Sequence, residues 1–211
     1  REGILFSIGD IVHNPVVMAD LVAQGLRVVE APDEVGAGPF IIRSHGLSPM
    51  IVARLRDRGV QIHDATCPFV RKLQRLVERL DNDGYFVIII GNAQHPEVRA
   101  LVDFARSVRV QDPHERRLPA AESRRVAVVG QTTLSFDEYV RCARAVADRR
   151  GAGEVRVMDT ICTVTGHRQE EGFRLSRSTD CMLVLGGRKS SNTRKLYEVC
   201  RMGNRRTFQV E

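Results

Sequence analysis

Four times along this chain a short apolar run ends in a small polar cluster and passes into a helical pattern, and that repetition limits the fold more than any other feature. Pro39-Phe40-Ile41-Ile42 leads to Arg43-Ser44-His45-Gly46-Leu47-Ser48-Pro49 and a helix through Leu55. Phe86 to Ile90 leads to Gly91-Asn92-Ala93-Gln94-His95-Pro96-Glu97 and a helix near Val98 to Phe104. Val126 to Val129 leads to Gly130-Gln131-Thr132-Thr133-Leu134-Ser135 and a helix from Phe136 to about Arg149. Met182 to Leu185 leads to Gly186-Gly187-Arg188-Lys189-Ser190-Ser191-Asn192 and a helix from Thr193 to Arg201. The runs are rich in Val and Ile and do not alternate with polar residues, which predicts strands buried on both faces. Strands alternating with helices specify a parallel α/β fold.

A second repeat overlays the first. His63-Asp64-Ala65-Thr66-Cys67 follows a predicted strand at Val60 to Ile62, and Met158-Asp159-Thr160-Ile161-Cys162 follows Val155 to Val157. The shared Asp-x-x-Cys frame predicts duplicated α/β units rather than one continuous sheet. In such a layout the polar clusters sit past the carboxyl ends of strands, where open α/β sheets bind ligands against helix N-termini.

The clusters supply His13, His45 and His95, Thr132 and Thr133, and Ser190, Ser191 and Asn192. These are neutral donors or switchable cations, and together with orphan helix N–H groups they suit a diphosphate. Each Ser, Thr or Asn taken singly also fits plain helix capping. His95-Pro96-Glu97 can be a proton-transfer pair beside a bound anion, or a helix start with Pro96 in the first turn and Glu97 complementing the dipole. Cys67 and Cys162, each opening a helix, can be thiolate metal ligands or small buried hydrophobes. Cys142, Cys181 and Cys200 have no such frame and are expected to be buried hydrophobes; His63, His114 and His167 have no informative context.

Several classes are disfavoured. Five scattered cysteines without a C-x-x-C pair do not make a secreted disulfide framework, a zinc ribbon or a redox dithiol, and a reducing compartment fits better. Neither a Walker A loop nor G-x-G-x-x-G is present, so a nucleotide cofactor has no support. The net charge of +6 comes from dispersed arginines, and aromatic content is 5%, so a nucleic-acid surface is not indicated. No apolar run is long enough to span a bilayer, and nothing at the start suggests export. The expected setting is cytoplasmic. The chain opens on Arg1, close to the apolar run Ile4 to Ile8, and is expected to have lost upstream residues.

Taken together, Ile11-Val12-His13-Asn14, Ser44-His45-Gly46-Leu47-Ser48, Asp64-Ala65-Thr66-Cys67-Pro68, Gln94-His95-Pro96-Glu97-Val98, Gln131-Thr132-Thr133-Leu134-Ser135, Asp159-Thr160-Ile161-Cys162 with Arg168-Gln169, and Ser190-Ser191-Asn192 resemble the LytB family of 4-hydroxy-3-methylbut-2-enyl diphosphate reductases. Seven motifs in family order across nearly the whole chain make the resemblance specific. It implies a three-lobed, pseudo-threefold α/β protein, with lobes at 1–66, 67–160 and 161–211, the first and last incomplete. It implies a central 4Fe-4S cluster held by three cysteines, of which Cys67 and Cys162 match two. His13, His45 and His95 would contact the diphosphate, with Ser190, Ser191, Asn192, Thr132 and Thr133 assisting. Glu97 would deliver protons and Thr132 would lie near the substrate hydroxyl. A ferredoxin or flavodoxin would donate electrons. The family's Gly-Phe-Cys-x-Gly and Gly-Ala-Ser segments have no counterpart between Arg1 and Glu211, and His167 replaces a usual asparagine. The implied activity is reductive dehydroxylation to isopentenyl and dimethylallyl diphosphate. The alternatives are a truncated or degenerate relative that binds a diphosphate-like anion or a partner without a cluster, and a non-redox sugar- or phosphate-binding module.

Overall fold

The computed structural model describes residues 4–115, 124–148 and 153–211. Three separate parallel sheets organise them. The first comprises β1 (Leu5–Ile8), β2 (Leu26–Val29), β3 (Phe40–Ile42) and β4 (Ile62–Asp64) in the order β2-β1-β3-β4, with helices α1 (Pro15–Ala23) and α2 (Pro49–Asp57) between strands. The second comprises β5 (Phe86–Ile90), β6 (Val108–Gln111), β7 (Arg125–Gly130) and β8 (Glu154–Val157) in the order β6-β5-β7-β8, accompanied by α3 (Pro68–Asn82), α4 (Pro96–Leu101) and α5 (Phe136–Asp148). The third pairs β9 (Met182–Leu185) with β10 (Thr207–Val210), beside α6 (Thr163–Ser176) and α7 (Ser191–Gly203). Every strand pair is parallel, as strand–helix–strand connections allow.

The unbroken apolar runs of β5 and β7 explain the second sheet. Val87, Ile89, Ala127 and Val129 point to one face and pack on Leu73, Val77 and Leu80 of α3 and on Val98 and Leu101 of α4. Ile88, Ile90, Val126 and Val128 point to the other and pack on Tyr139, Cys142, Ala143 and Val146 of α5. Period-two alternation therefore feeds two cores from one strand. The first sheet has a smaller core of Phe6, Val29, Val35, Phe40, Ile42, Leu47 and Leu55.

The structure departs from the sequence reading in four places. Val60 is not in a strand. Helix α2 ends with Gly59 at φ +72°, whose N–H returns to Arg56 O, while the Val60 N–H returns to Leu55 O. This double return is a Schellman cap, so Val60 is spent on helix closure and β4 starts only at Ile62. Three helices begin or end elsewhere than expected: α2 continues past Leu55 to Asp57, α4 starts at Pro96 and relaxes into a 3-10 turn at Val102–Phe104, and α7 runs Ser191–Gly203. Helix α5 is described to Asp148, and its expected end at Arg149 lies outside the described residues. Strand β9 is not buried on both faces: Leu183 and Leu185 are 59% and 75% exposed, because α7 packs on the opposite side only. Cys181, just before that strand, is exposed and not a core residue, whereas Cys142 and Cys200 are buried as expected.

Candidate active site

The three histidines arrive on three strand-to-helix loops. Asn14 caps α1 by accepting from Val16 N (3.1 Å) and Val17 N (3.3 Å), with Pro15 in the first turn, and this leaves His13 at the loop tip. The Ser44 hydroxyl donates to Ile11 O (3.2 Å) and ties the second loop to the first. Gly46, at φ +78°, lets the chain turn after His45; a Cβ there would lie 2.2 Å from Gln74 Nε2. His95 caps α4, its Nδ1 accepting from Glu97 N (3.2 Å). The rings converge, with centroids 4.6 Å apart for His13–His45, 5.6 Å for His45–His95 and 6.4 Å for His13–His95.

They line one side of a cavity of about 310 Å³, whose other side is Gly186, Gly187, Ser190, Ser191, Asn192 and Thr193. Gly187 makes this closure fit: a Cβ there would sit 2.4 Å from the His13 carbonyl oxygen. Thr133 joins the wall and meets Ser191 Oγ at 3.0 Å. Hydrogen-bond direction propagates to that contact. The Asn92 N–H donates to Gln131 Oε1 (3.1 Å), so Gln131 Nε2 is the donor to Thr133 Oγ1 (2.7 Å). Thr133 can then donate to Ser191, which frees the Ser191 proton for the cavity. Ser190 caps α7 by accepting from Thr193 N (3.3 Å) and keeps its own proton to donate.

Behind the cavity lies Glu97, 2% exposed. One carboxylate oxygen accepts from the Thr132 N–H (2.8 Å) and the other meets the Thr132 hydroxyl (2.8 Å). Burial raises the Glu97 pKa above the usual carboxylate range, and the Thr132 bonds oppose it. The histidines shift the other way. Burial, followed by the charge of neighbouring imidazoles and of Arg43, lowers His45 to about 3 and His95 to about 4. His13 is lowered by burial and by Arg43. At these values the His45 and His95 imidazoles are neutral at pH 7.

Three close imidazoles can also hold a cation, since their ligand atoms lie within 4.8 Å of one another. The His95 tautomer argues against it. Its Nδ1 is committed as an acceptor, so the neutral ring carries its proton on Nε2 and presents a donor. The Nδ1 atoms of His13 and His45 are buried without a hydrogen-bond partner, whereas metal-bound histidines anchor their second nitrogen.

Cys67 and Cys162 occupy equivalent places. Each caps a helix, α3 or α6, and each is a free, half-buried thiol. The Cys67 N–H donates to Ser44 O (3.0 Å), beside His45, and the Cys162 N–H donates to Thr132 O (2.9 Å). Asp64 Oδ1 accepts from Thr66 N (2.9 Å) and Asp159 Oδ1 from Ile161 N (3.3 Å), so the repeated frame folds into the same Asx turn twice. Neither thiol lines the histidine cavity. Cys162 instead opens onto a larger groove of about 750 Å³, where Lys195 bridges Glu138 (2.9 Å) and Glu198 (3.0 Å). That groove is larger than the histidine cavity, and Phe136, Ile161, Phe173, Val199 and Met202 make much of its wall apolar.

Of the residues singled out by sequence, His13, His45, His95, Thr133, Ser190, Ser191 and Asn192 share one cavity. Glu97 and Thr132 bond to each other just behind it. Roles for Asn14, Gln131, Gly187 and Arg43 were not foreseen. Asn14-Pro15 carries a readable capping signal; nothing local marks the other three.

Comparison with known proteins agrees. The model of the LytB protein family matches residues 1–211. A 4-hydroxy-3-methylbut-2-enyl diphosphate reductase from Geobacter sulfurreducens is 40% identical over 212 residues, covering 100% of this chain and 74% of the relative. One of the same name from Pelobacter propionicus is 40% identical over 209 residues, covering 98% and 73%. Among solved structures, an (E)-4-hydroxy-3-methyl-but-2-enyl diphosphate reductase, the terminal enzyme of the non-mevalonate pathway, superposes with a TM-score of 0.74 at 33% identity, covering 100% of this chain and 75% of that one. The Plasmodium falciparum E-1-hydroxy-2-methyl-but-2-enyl-4-diphosphate reductase gives 0.87 at 25% identity, covering 100% and 67%. A fold of three parallel sheets, seven motifs in order and a family match over every residue lead to one conclusion: this chain belongs to the LytB family.

Proposed function

We infer that the chain is a reductase that removes the hydroxyl of 4-hydroxy-3-methylbut-2-enyl diphosphate, giving isopentenyl and dimethylallyl diphosphate. The observation that carries this is the cavity of about 310 Å³, walled by imidazole, hydroxyl and amide donors from three loops and backed by a buried carboxyl. A diphosphate fits such donors, and holding it at one end fixes where the allylic end lies. A polyanion arriving among these imidazoles favours their protonated forms, and so opposes the lowering that burial and, after it, neighbouring positive charge impose on them. Glu97, with its raised pKa, retains a proton at a pH where an exposed glutamate would have lost it. Its bond to the Thr132 hydroxyl gives that proton a path toward the departing oxygen. The net change consumes two electrons and two protons and releases the oxygen as water.

An iron–sulfur cluster fits the donor set. Cys67 and Cys162 are soft, half-buried donors, each placed just before the first turn of a helix. They would hold it, and when bound it supplies the electrons and a Lewis-acidic iron. A ferredoxin or flavodoxin is the proposed electron source and the cytoplasm the proposed setting. No helix among the described residues is long and apolar enough to cross a membrane. The lobe division at 1–66, 67–160 and 161–211 is proposed on the grounds that each sheet falls inside one lobe.

The deciding experiment is an anaerobic assay of the gene product with dithionite, a viologen mediator and the allylic diphosphate. Formation of five-carbon diphosphates, inhibited competitively by pyrophosphate, is expected. Pyrophosphate binding without any conversion by iron- and sulfide-loaded protein would leave an anion-binding relative instead.

A further inference from the structure

Arg43 ends β3's polar extension one residue before Ser44, and it is an anomaly. It is half-buried, and its Nε is buried without a hydrogen-bond partner. Its guanidinium makes no hydrogen bond or ion pair with any described residue; the exposed Arg99, and then Asp10 and Glu30, lie near enough to feel its charge without contacting it. Its Nη1 occupies the space where a Cβ on Gly9, in the loop that carries His13, would lie, 2.5 Å from that position. Two other buried unpartnered nitrogens, His13 Nδ1 and His45 Nδ1, belong to the same two loops. With no carboxylate in contact to neutralise it, the charge of this half-buried guanidinium acts on the loops around it.

We propose that Arg43 is a positioning residue for the anion: it supplies the permanent positive charge behind the histidine cavity that draws in the diphosphate. The histidines cannot do this while empty, because they are neutral. Arg43 does not line the cavity and acts through its field, which reaches His13, His45 and His95. Lys189, which also bears on His13, sits on the exposed rim, where solvent screens it more. The proposal rests on the diphosphate reading of the cavity.

Calorimetric titration with inorganic pyrophosphate at pH 7 and low salt separates the two. If the wild-type chain does not bind pyrophosphate, the cavity reading fails. If it binds, Arg43→Met, which keeps the apolar stem, should weaken binding roughly tenfold or more, and Arg43→Lys should restore most of it. NMR titration of the empty proteins should show His45 and His95 rising toward the free imidazole value in Arg43→Met and not in Arg43→Lys. A purely packing role would not move those values in this charge-dependent way. Unchanged pyrophosphate affinity in folded Arg43→Met overturns the proposal, as does an Arg43→Lys variant as weak as Arg43→Met. Should Arg43→Met not fold, the exposed Glu30→Gln replaces it. That change leaves Arg43 less countered, so about twofold tighter binding is expected and unchanged or weaker binding overturns the proposal.

Discussion

The two halves of the site are built on opposite terms. Behind the cavity, Glu97 and Thr132 form a dry pair in which both carboxylate oxygens are satisfied and the residue is almost wholly excluded from water. In front, the histidine cluster holds two buried nitrogens with no partner, the Nδ1 atoms of His13 and His45. One half is complete without substrate; the other is complete only with it. A proton store has to be settled before the reaction, whereas a recognition surface gains specificity when its unmet groups are met by the right ligand alone.

Substitutions can break this contrast. The largest effect is expected at the settled half. Glu97→Gln should lower turnover by roughly 10²–10⁴-fold while pyrophosphate affinity stays within about threefold; turnover near wild type in the dithionite assay would take Glu97 out of the proton path. At the unmet half, His45→Ala should weaken pyrophosphate binding by about ten- to a hundredfold, the usual value of a hydrogen bond to a charged group, with little loss of fold stability. Unaltered affinity by calorimetry would mean that the cluster does not grip the anion. Thr132→Val should cut turnover about tenfold and cost about 1–3 kcal/mol in denaturant melts, because one Glu97 oxygen loses its partner in a dry site.

The smallest effect is on pH dependence. His45 and His95 have folded pKa values of about 3 and about 4, below the free value of 6.5, so the unfolded chain takes up protons first on acidification. Their contribution is therefore full above about pH 6.5 and is lost as pH falls toward about 4 for His95 and about 3 for His45, by at most about 1.4 kcal/mol per pH unit for each ring. Glu97 has the opposite sign. Its raised pKa makes the folded state the better proton binder, so its contribution is present below about 4.5 and lost as pH rises. Thermal melts of wild type and His45→Asn, compared between pH 7 and pH 5, isolate the histidine share: the variant should lose less stability than wild type. Equal losses would mean that His45 does not titrate in this way.

Sequence reading recovered the parts of this arrangement that are written locally. Strand, polar loop and helix start are consecutive in the chain, so His13, His45, His95 and the two Asp-x-x-Cys turns could be found from spacing alone. The contacts that make them a site are not local. Glu97 meets Thr132 across 35 residues and Thr133 meets Ser191 across 58. The donor chain through Gln131 depends on a backbone N–H at Asn92 that no side-chain pattern reveals. Arg43 could not be told from the many other arginines, because what distinguishes it is a missing partner. Val60 and Cys181 were misread for a related reason: an apolar residue looks alike in sequence whether it closes a helix cap, begins a strand or precedes an exposed edge.

The glycine that lets one loop rest on the His13 carbonyl also sets a schedule. The walls of the cavity come from Val12 at one extreme and Thr193 at the other. During synthesis on a ribosome the first two sheets can fold while the last loop is still inside the exit tunnel. Until it emerges, the histidines face open water and no enclosed polyanion pocket exists. Ligand can therefore stabilise only a chain that already extends past Thr193, so a diphosphate would act as a check on the joining of the three sheets and not as a template for early folding.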